Sequence, residues 1–468
     1  MPGLMVGLEI GKRALMANQV WLQTIGHNIA NANTVGYTRQ RVSIAASYPE
    51  TSIYGPIGSG VTVDNLHHVR DLFLGQQYRS AQKDLGEWSF KDKALAQIEQ
   101  TFNEPEDEAL NDVINEFWNK WNDLAQNPEN TGNRNFVISS ANELIRNFHT
   151  LAQGLTDQRD AVDRDLTNMV AEVNRMTNEI SRLNQQIKRQ ELGDEQAMDL
   201  RDARDLLTDE LSSLIDVNTM EKSDGTTIVS MGQMILVDSG DSFAIDAKPE
   251  ISKGITTHKI VWKGTNVELK NLRGQLAGLM ETRDKIIPNY MSDLNDLSRT
   301  IVEQVNNLHR SGFGLDGSTN IDFFDPSFTD AVNIRLNVDV TNNINKIAAS
   351  DSNDPDAVYG NGNLAAAIYD LRGAAVLEGG TTTINDYYTS LIGKVGVEAR
   401  EASSFNANYE LLLSQIDNQR QSIQGVNLDE EVTNMVKYQH ALDAASRVIT
   451  TMDEALDTII NGMGRVGR

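Results

Sequence analysis

Residues 427–463 read NLDEEVTNMVKYQHALDAASRVITTMDEALDTIINGM, and within them Leu428, Met435, Leu442, Ile449, Leu456 and Met463 recur every seven residues. A period of seven keeps an apolar track on one narrow stripe of a helix, the seam along which two helices pack lengthwise. Asn427 reads as the N-cap of this helix, with Glu430 three residues on in the manner of a capping box and Asp429 favourable at the positive end of the helix dipole. Gly425 separates it from a preceding run, Ile384, Tyr388, Leu391, Val395, Ala402, Phe405, Tyr409, Leu412, Ile416 and Ile423, in similar spacing.

The opposite end of the chain carries the same signal. Leu8, Leu15, Leu22 and Ile29 form one track, and Leu4, Gly11, Asn18 and Ile25 form a second beside it. Asn31-Ala32-Asn33-Thr34-Val35-Gly36 ends this helix in a turn, because Asn and Gly tolerate left-handed backbone and Asn bonds its own main chain. Isolated helices are marginal in water and are stabilised by burying an apolar face. Each fully buried Leu or Ile contributes about 1.5–3 kcal/mol, so five or six offset much of the ordering cost of a terminal helix. The two ends therefore pair with each other, with neighbouring copies, or with both. Asn18, Gln439 and Ser446 on these stripes are candidates for fixing register.

Between the ends the reading is mainly α with inserted β. Residues 1–84 comprise the first helix, the turn and an extended segment with the alternation Val61-Thr62-Val63. Residues 85–216 read as a helical domain. One helix carries Leu95, Ile98 and Phe102 and stops near Pro105; the next carries Leu110, Ile114, Phe117, Trp121 and Leu124; Asn127-Pro128 breaks the run. The clearest helix follows, with Val162, Leu166, Met169, Val173, Met176, Ile180, Leu183 and Ile187 in 4-3 order. Residues 217–272 switch to period two around Asp224-Gly225, a small inserted β domain. The helical domain returns over 273–310, with a kink expected at Pro288. Residues 311–380, rich in Gly, Asn and Asp, read as a loop-rich, reduced outer region, and 381–468 as helices that pair with the N-terminal one. The heptads at 155–190 and 276–308 read as internal cores of a bundle.

Composition narrows the function. The 468 residues suffice for two to four domains. A formal net charge of −25 argues against nucleic-acid or anionic-membrane binding, which need clustered Lys and Arg. There is no cysteine, hence no disulfide or thiolate chemistry. No apolar stretch reaches the ~18 residues of a membrane span, and no Sec signal is legible at the N-terminus. That pattern implies a cytoplasmic protein or one exported by a machine that reads no cleavable signal. Gly312, Gly314 and Gly317 make a G-x-G-x-x-G, but a helix precedes it and Asp/Asn-rich loop follows, the reverse of a dinucleotide site. Asp316, Ser318, Asn320 and Asp322 alternate like a calcium loop whose glycine is misplaced and whose closing Glu is missing. His67-His68 lacks metal-ligand spacing. The sequence offers no catalytic, cofactor or metal constellation, and the reading is a self-assembling structural subunit, not an enzyme.

The stretch Asn28-Ile29-Ala30-Asn31-Ala32-Asn33-Thr34-Val35-Gly36-Tyr37 resembles the N-terminal signature of bacterial flagellar rod, hook and hook-associated proteins. Thr38-Arg39-Gln40, then Gly425-Val426-Asn427-Leu428-Asp429-Glu430-Glu431, Lys437-Tyr438-Gln439 and Asp453-Glu454-Ala455-Leu456-Asp457-Thr458, is similar to the hook-associated protein 1 family of the hook–filament junction. Ile98-Glu99-Gln100-Thr101-Phe102, Trp121-Asn122-Asp123-Leu124 and Asn127-Pro128 resemble that family's helical domain. Two departures stand out: Val35 replaces the signature's usual proline, leaving the turn to Asn33 and Gly36, and 311–380 is short where many relatives carry a large β insertion.

The resemblance implies an elongated axial protein, exported unfolded without a cleavable signal and built into a ring of copies between hook and filament. It implies hook subunits as one neighbour, a second hook-associated protein on the filament side, and an export chaperone at the C-terminal helix. It places the assembly interface on Leu8, Leu15, Leu22, Ile25, Ile29, Leu428, Met435, Leu442, Ile449, Leu456 and Met463. The family turn comprises Asn28, Ala30, Asn31, Asn33, Thr34, Gly36 and Tyr37. The alternative within the class is a hook or distal-rod subunit.

Overall fold

A computed structural model of the chain describes residues 2–52, 55–102, 109–193, 196–252, 255–270, 272–354 and 358–462. Helix α1 (Pro2–Ala30) and the last helix, α11 (Leu428–Asp457), lie side by side. Their register is antiparallel: Gly7 meets Met452, Gly11 meets Ile449, Trp21 stacks on Tyr438 and Asn28 reaches Glu431, so one number falls as the other rises. A two-stranded ribbon, β1 (Gln40–Ala46) against β4 (Val61–His68), packs along α1, with β2 (Glu50–Ser52) and β3 (Gly55–Ile57) pairing beyond it. Gly60 sits against Ile10 with a left-handed φ of 97°.

A second antiparallel pair continues the molecule. Helix α2 (Leu72–Phe102) runs beside α10 (Ile384–Gln424), with Trp88 stacked on Phe405 at 4.4 Å between centroids and Asn406 donating to Asp92. Two expectations are corrected here. Helix α2 starts at Leu72 rather than near 85, because Asp71 caps it by accepting from the Phe73 and Leu74 amides. Of the C-terminal helices only α11 pairs with α1; α10 pairs with α2. The expected stop at Pro105 lies outside the described residues.

The body is built on α3 (Leu110–Gln126) and α4 (Thr131–Gln190), followed by α5 (Met198–Leu214). Asn130 starts the 60-residue α4 by accepting from the Gly132 and Asn133 amides. Val162, Leu166, Val173, Met176, Ile180, Leu183 and Ile187 from its heptad track are buried in the core. A four-stranded antiparallel sheet of β5 (Asn218–Glu221), β6 (Thr227–Met231), β7 (Met234–Asp238) and β8 (Asp241–Ser242) packs on α4 together with the hairpin β9 (Ile245–Ser252)–β10 (Ile255–Trp262). Two asparagines of α4 clasp these strands as a neighbouring strand would. Asn184 bonds the amide and carbonyl of Thr227, and Asn174 those of Ile245. Such paired bonds satisfy backbone groups that burial otherwise leaves costly.

Helix α6 (Gln275–Glu281) joins α7 (Ile287–Ser311) through a π-turn at Thr282–Ile286, where the Ile287 amide reaches back to the Thr282 carbonyl. The irregularity expected at Pro288 thus falls in the preceding turn, since Pro288 has no N–H to continue the i→i−4 ladder. Residues 311–380 hold α8 (Val338–Asn342) and α9 (Asn363–Asp370) in long loops. They are not an outer region. Phe323 and Phe324 are fully buried against Phe117 and Trp121 of α3, and the buried Arg134 of α4 donates to the Pro128, Ile344 and Ile347 carbonyls. Asn/Asp/Gly composition reports how the backbone turns, not how exposed it is.

Candidate assembly interface

The seam between α1 and α11 is made of residues three and four apart on each helix. On α1 these are Gly7, Gly11, Trp21 and Asn28, with Ala14, Asn18 and the buried Ile25 falling between them by spacing. On α11 they are Glu431, Tyr438, Ile449 and Met452, with Met435, Leu442 and Ala445 falling between them by spacing; Glu431 and Ala445 are buried. A Cβ on Gly11 would lie 2.8 Å from Ile449 Cγ1 and one on Gly7 3.0 Å from Met452. Glycine is what lets the helices approach. The sequence reading found Gly11, Ile25, Met435, Leu442 and Ile449 but missed the track Glu431–Tyr438–Ala445–Met452. The signal was its seven-residue spacing, hidden because only one of its members is a large aliphatic.

The leucine track of α1 lies elsewhere. Leu8, Leu15, Leu22 and Ile29 are half-buried and stand about 40–60° around the helix from the Gly11–Ile25 track at ~100° per residue. The ribbon occupies the other flank, with Arg13 bonded to Ser47 and Ser59. On the leucine side α11 presents Leu428, Val432 and Val436, about half exposed at 50%, 51% and 47%. Leu456 is half-buried and Met463 lies outside the described residues. The pair therefore has one flank covered by its own ribbon and one apolar flank open.

The turn ties this pair together. Asn28 uses its whole amide: Oδ1 accepts from the Gln40 amide (3.0 Å) and the Tyr37 hydroxyl (2.8 Å), and Nδ2 donates to the Gln40 carbonyl (3.0 Å) and to Glu431 (3.3 Å). Asn31 donates to the His27 carbonyl and accepts from Thr34. Gly36 takes φ 80° and faces Leu206, whereas Asn33 does not enter the left-handed region; the turn is left to Gly36 alone. Ala30, Asn33 and Thr34 are exposed. Burial, with Asp199, Asp202 and Glu431 nearby, raises the Tyr37 pKa, keeping its hydroxyl a donor.

Arg39 carries the charge of the junction. Its guanidinium lies 2.7 Å from Glu431 and 2.8 Å from Glu430, while its amide donates to the Gln424 carbonyl. Asn427 caps α11 by accepting from the Asp429 and Glu430 amides. The Glu430 side chain does not close a capping box; it binds Arg39. A side chain opposite a fixed guanidinium gains a charge-assisted pair that an N–H at the cap does not match.

Elsewhere the motifs carry no site geometry. Gly314 and Gly317 close a turn in which Asp316 accepts from Ser318 and Asn343. Among the described residues no group of three or more His, Cys, Asp or Glu could hold a metal ion, and no helix is long and apolar enough to cross a membrane.

Comparison with known proteins bears on the same elements. A family model described as the flagellar hook-associated protein FlgK helical domain matches residues 95–324. Models of the flagella basal body rod protein and of the flagellar basal body rod FlgEFG protein C-terminal match 8–38 and 418–462, the two halves of the terminal pair. The chain is 32% identical to flagellar hook-associated protein 1 of Bacillus subtilis (strain 168), with 100% of both chains covered. It is 25% identical to the protein of that name from Salmonella typhimurium, over 96% of this chain and 98% of the relative. Both alignments are longer than the chain, so these relatives carry residues absent here. The structure of the flagellar hook junction protein FlgK from Burkholderia pseudomallei is similar in fold, with a TM-score of 0.63 at 16% identity, covering 75% of this chain and all of that one.

Proposed function

The chain belongs to the flagellar hook-associated protein 1 family, and from that premise we propose how its terminal helices serve it. It is a structural subunit of the bacterial flagellum, at the junction between hook and filament, and it assembles with other axial proteins of that organelle. The reading as a hook or distal-rod subunit is not favoured, because the helical-domain match spans the middle of the chain.

In our reading the working part is the open flank of the α1–α11 pair, with Leu8, Leu15, Leu22 and Ile29 on one helix and Leu428, Val432 and Val436 on the other. Its occupant is a second copy of this chain, so that copies close into a ring with hook subunits below and a second hook-associated protein above. Met435, Leu442, Ile449 and Leu456 hold α11 in place for that contact; Met463 lies outside the described residues. The same stripe, before assembly, is what an export chaperone would cover, and export unfolded without a cleavable signal would deliver the chain outside the cell. The role needs no catalysis. The division of the chain at 216, 272, 310 and 380 stays part of this proposal, with the first boundary moved from 84 to the start of α2 at Leu72 and 311–380 assigned to the body.

The observation that carries the reading is the run of half-exposed Leu428, Val432 and Val436 beside a half-buried leucine track. Three such residues together are an apolar patch, where single exposed ones are commonplace. Val432→Asp with Val436→Asp, introduced into a strain lacking the wild-type gene, is expected to give hooks that shed filament subunits into the medium. Filaments of normal number with this variant would overturn the interface, and normal filaments in the deletion strain itself would overturn the junction role.

A further inference from the structure

Helix α5 carries Asp199, Asp202, Asp205 and Asp209, spaced three, three and four residues apart, which places all four on one face. The first three meet the terminal region and the segment that leads from it, and the fourth meets the α2–α10 pair. Asp199 accepts from Gln40 of β1 (3.1 Å) and lies 3.6 Å from His27 of α1. Asp202 accepts from the Thr38 amide (2.9 Å) and faces His68 (3.4 Å) and Arg70 (3.5 Å) at the end of the ribbon. Asp205 pairs with Arg70 and with its neighbour Arg204. Asp209 binds Arg420 of α10 (2.5 Å) and Arg79 of α2 (3.3 Å). Arg420 also lies 4.0 Å over the Tyr78 ring.

We infer that this aspartate row positions the terminal pair: it fixes the direction in which α1 and α11 leave the helical body. Its consequence for assembly rests on the function proposed above; the positioning itself does not. The joint it spans is open rather than packed. A cleft of about 550 Å³ separates residues 32–38 from α2, α5 and the turn between α10 and α11, with Arg70, Arg79, Asp205, Asp209 and Arg420 in its walls. Across it Gly36 lies against Leu206. The charged bonds span this open joint, and bonds of fixed length to five different segments over-determine a direction as one contact does not.

The four are unequal. The Asp199 side chain is 68% exposed and contributes little. Those of Asp202 and Asp209 are 7% and 12% exposed, where unpaired carboxylates are costly and pairing is correspondingly strict. Burial raises the Asp209 pKa against the pull of Arg420 and Arg79. At Asp205 burial also acts upward, but Arg70, Arg204 and Arg79 together outweigh it and leave the carboxyl below its usual range.

The chain has no cysteine, so spin labels on Gln19→Cys and Asn168→Cys, both at exposed helical positions, report the angle between α1 and α4 without background. Double electron–electron resonance on the full chain is expected to give one narrow distance distribution. Asp202→Asn with Asp209→Asn is expected to broaden it at least twofold while circular dichroism shows the helices intact, a change that mere loss of stability does not produce. Arg79→Gln with Arg420→Gln removes the Asp209 bonds from the side of α2 and α10 and is expected to broaden it too. This second variant decides the matter if the aspartate variant does not fold. A broad distribution in the unmutated chain, or a narrow one in Arg79→Gln/Arg420→Gln, overturns the inference, and neither result bears on where the chain assembles.

Discussion

Gly11 and Gly26 both lie inside α1, and the structure separates them sharply. A Cβ at Gly11 would fall 2.8 Å from Ile449 Cγ1 and 3.7 Å from Val448 Cγ1, whereas one at Gly26 meets nothing within 4 Å. Replacing a helix-interior glycine by alanine stabilises by about 1 kcal/mol through backbone entropy, and that gain is common to both sites. At Gly11 an overlap of about 1 Å on the ~3.8 Å of carbon contact must be relieved, and overpacking of this kind costs about 1–3 kcal/mol. Gly26→Ala is therefore expected to stabilise by about 1 kcal/mol and Gly11→Ala to lie between neutral and about 2 kcal/mol destabilising. Shortening the opposing residue should relieve the clash, so Gly11→Ala with Ile449→Ala should be more stable than the sum of the single changes by about 0.5–3 kcal/mol. Hydrogen exchange of the α1 amides reads all four chains in the same experiment. Equal slowing by the two alanines, or strict additivity with Ile449→Ala, would refute the seam as described.

Other perturbations test the body and the junction. His309 donates from Nδ1 to the Ile321 carbonyl and accepts the Ala348 amide at Nε2, and burial lowers its pKa to about 4. Its neutral form contributes stability that is complete above the ordinary value near 6.5 and is lost as pH falls through 4. Urea unfolding at pH 7 and pH 4.5 should therefore show His309→Gln losing about 2–3 kcal/mol less than the unmutated chain, and identical losses would count against it. Arg39→Met leaves the buried Glu431 carboxylate without its cation and should cost about 3 kcal/mol, while Arg41→Met, at an exposed position, should cost under about 0.5 kcal/mol in the same urea series. Similar effects from the two would mean that the Arg39 pair is not buried in solution.

How much of this was legible depends on what each signal physically encodes. The 4-3 track from Val162 to Ile187 states that one face of α4 is buried, and it is. The cap residue Asn427 announces a helix start because its geometry involves only neighbouring amides. What a heptad track does not encode is its partner. Trp88 and Phe405 mark α2 and α10 as apolar, but only the folded chain shows that they stack on each other and not on α1 or α11. Charge is equally silent: Glu430 and Glu431 look like dipole-favoured helix starts, yet both are fixed by an arginine nearly 400 residues away. The aspartates of α5 carry no readable signal for the same reason, since their partners lie in five distant segments. Phe323 and Phe324 were overlooked because the turn residues around them suppress every periodic signal.

The terminal pair shows why the strongest apolar track need not be the one that closes the fold. In a two-helix seam the leucines are expected inside, yet α1 turns Gly7, Gly11 and Trp21 toward α11 and keeps Leu8, Leu15, Leu22 and Ile29 beside the seam, half-covered. Small residues bring the two backbones close, and the aliphatic surface so displaced remains available to another chain. The two tracks should then respond oppositely to mutation. Ile25 is 1% exposed, so Ile25→Ala should cost the free chain about 2–5 kcal/mol, visible as faster exchange along α1. Leu15→Ser with Leu22→Ser removes surface already half in water and should cost the free chain far less, yet abolish incorporation at the junction. If the serine variant destabilises the free chain as much as Ile25→Ala while assembling normally, the leucines belong to the intrachain seam and the open flank is not where copies meet.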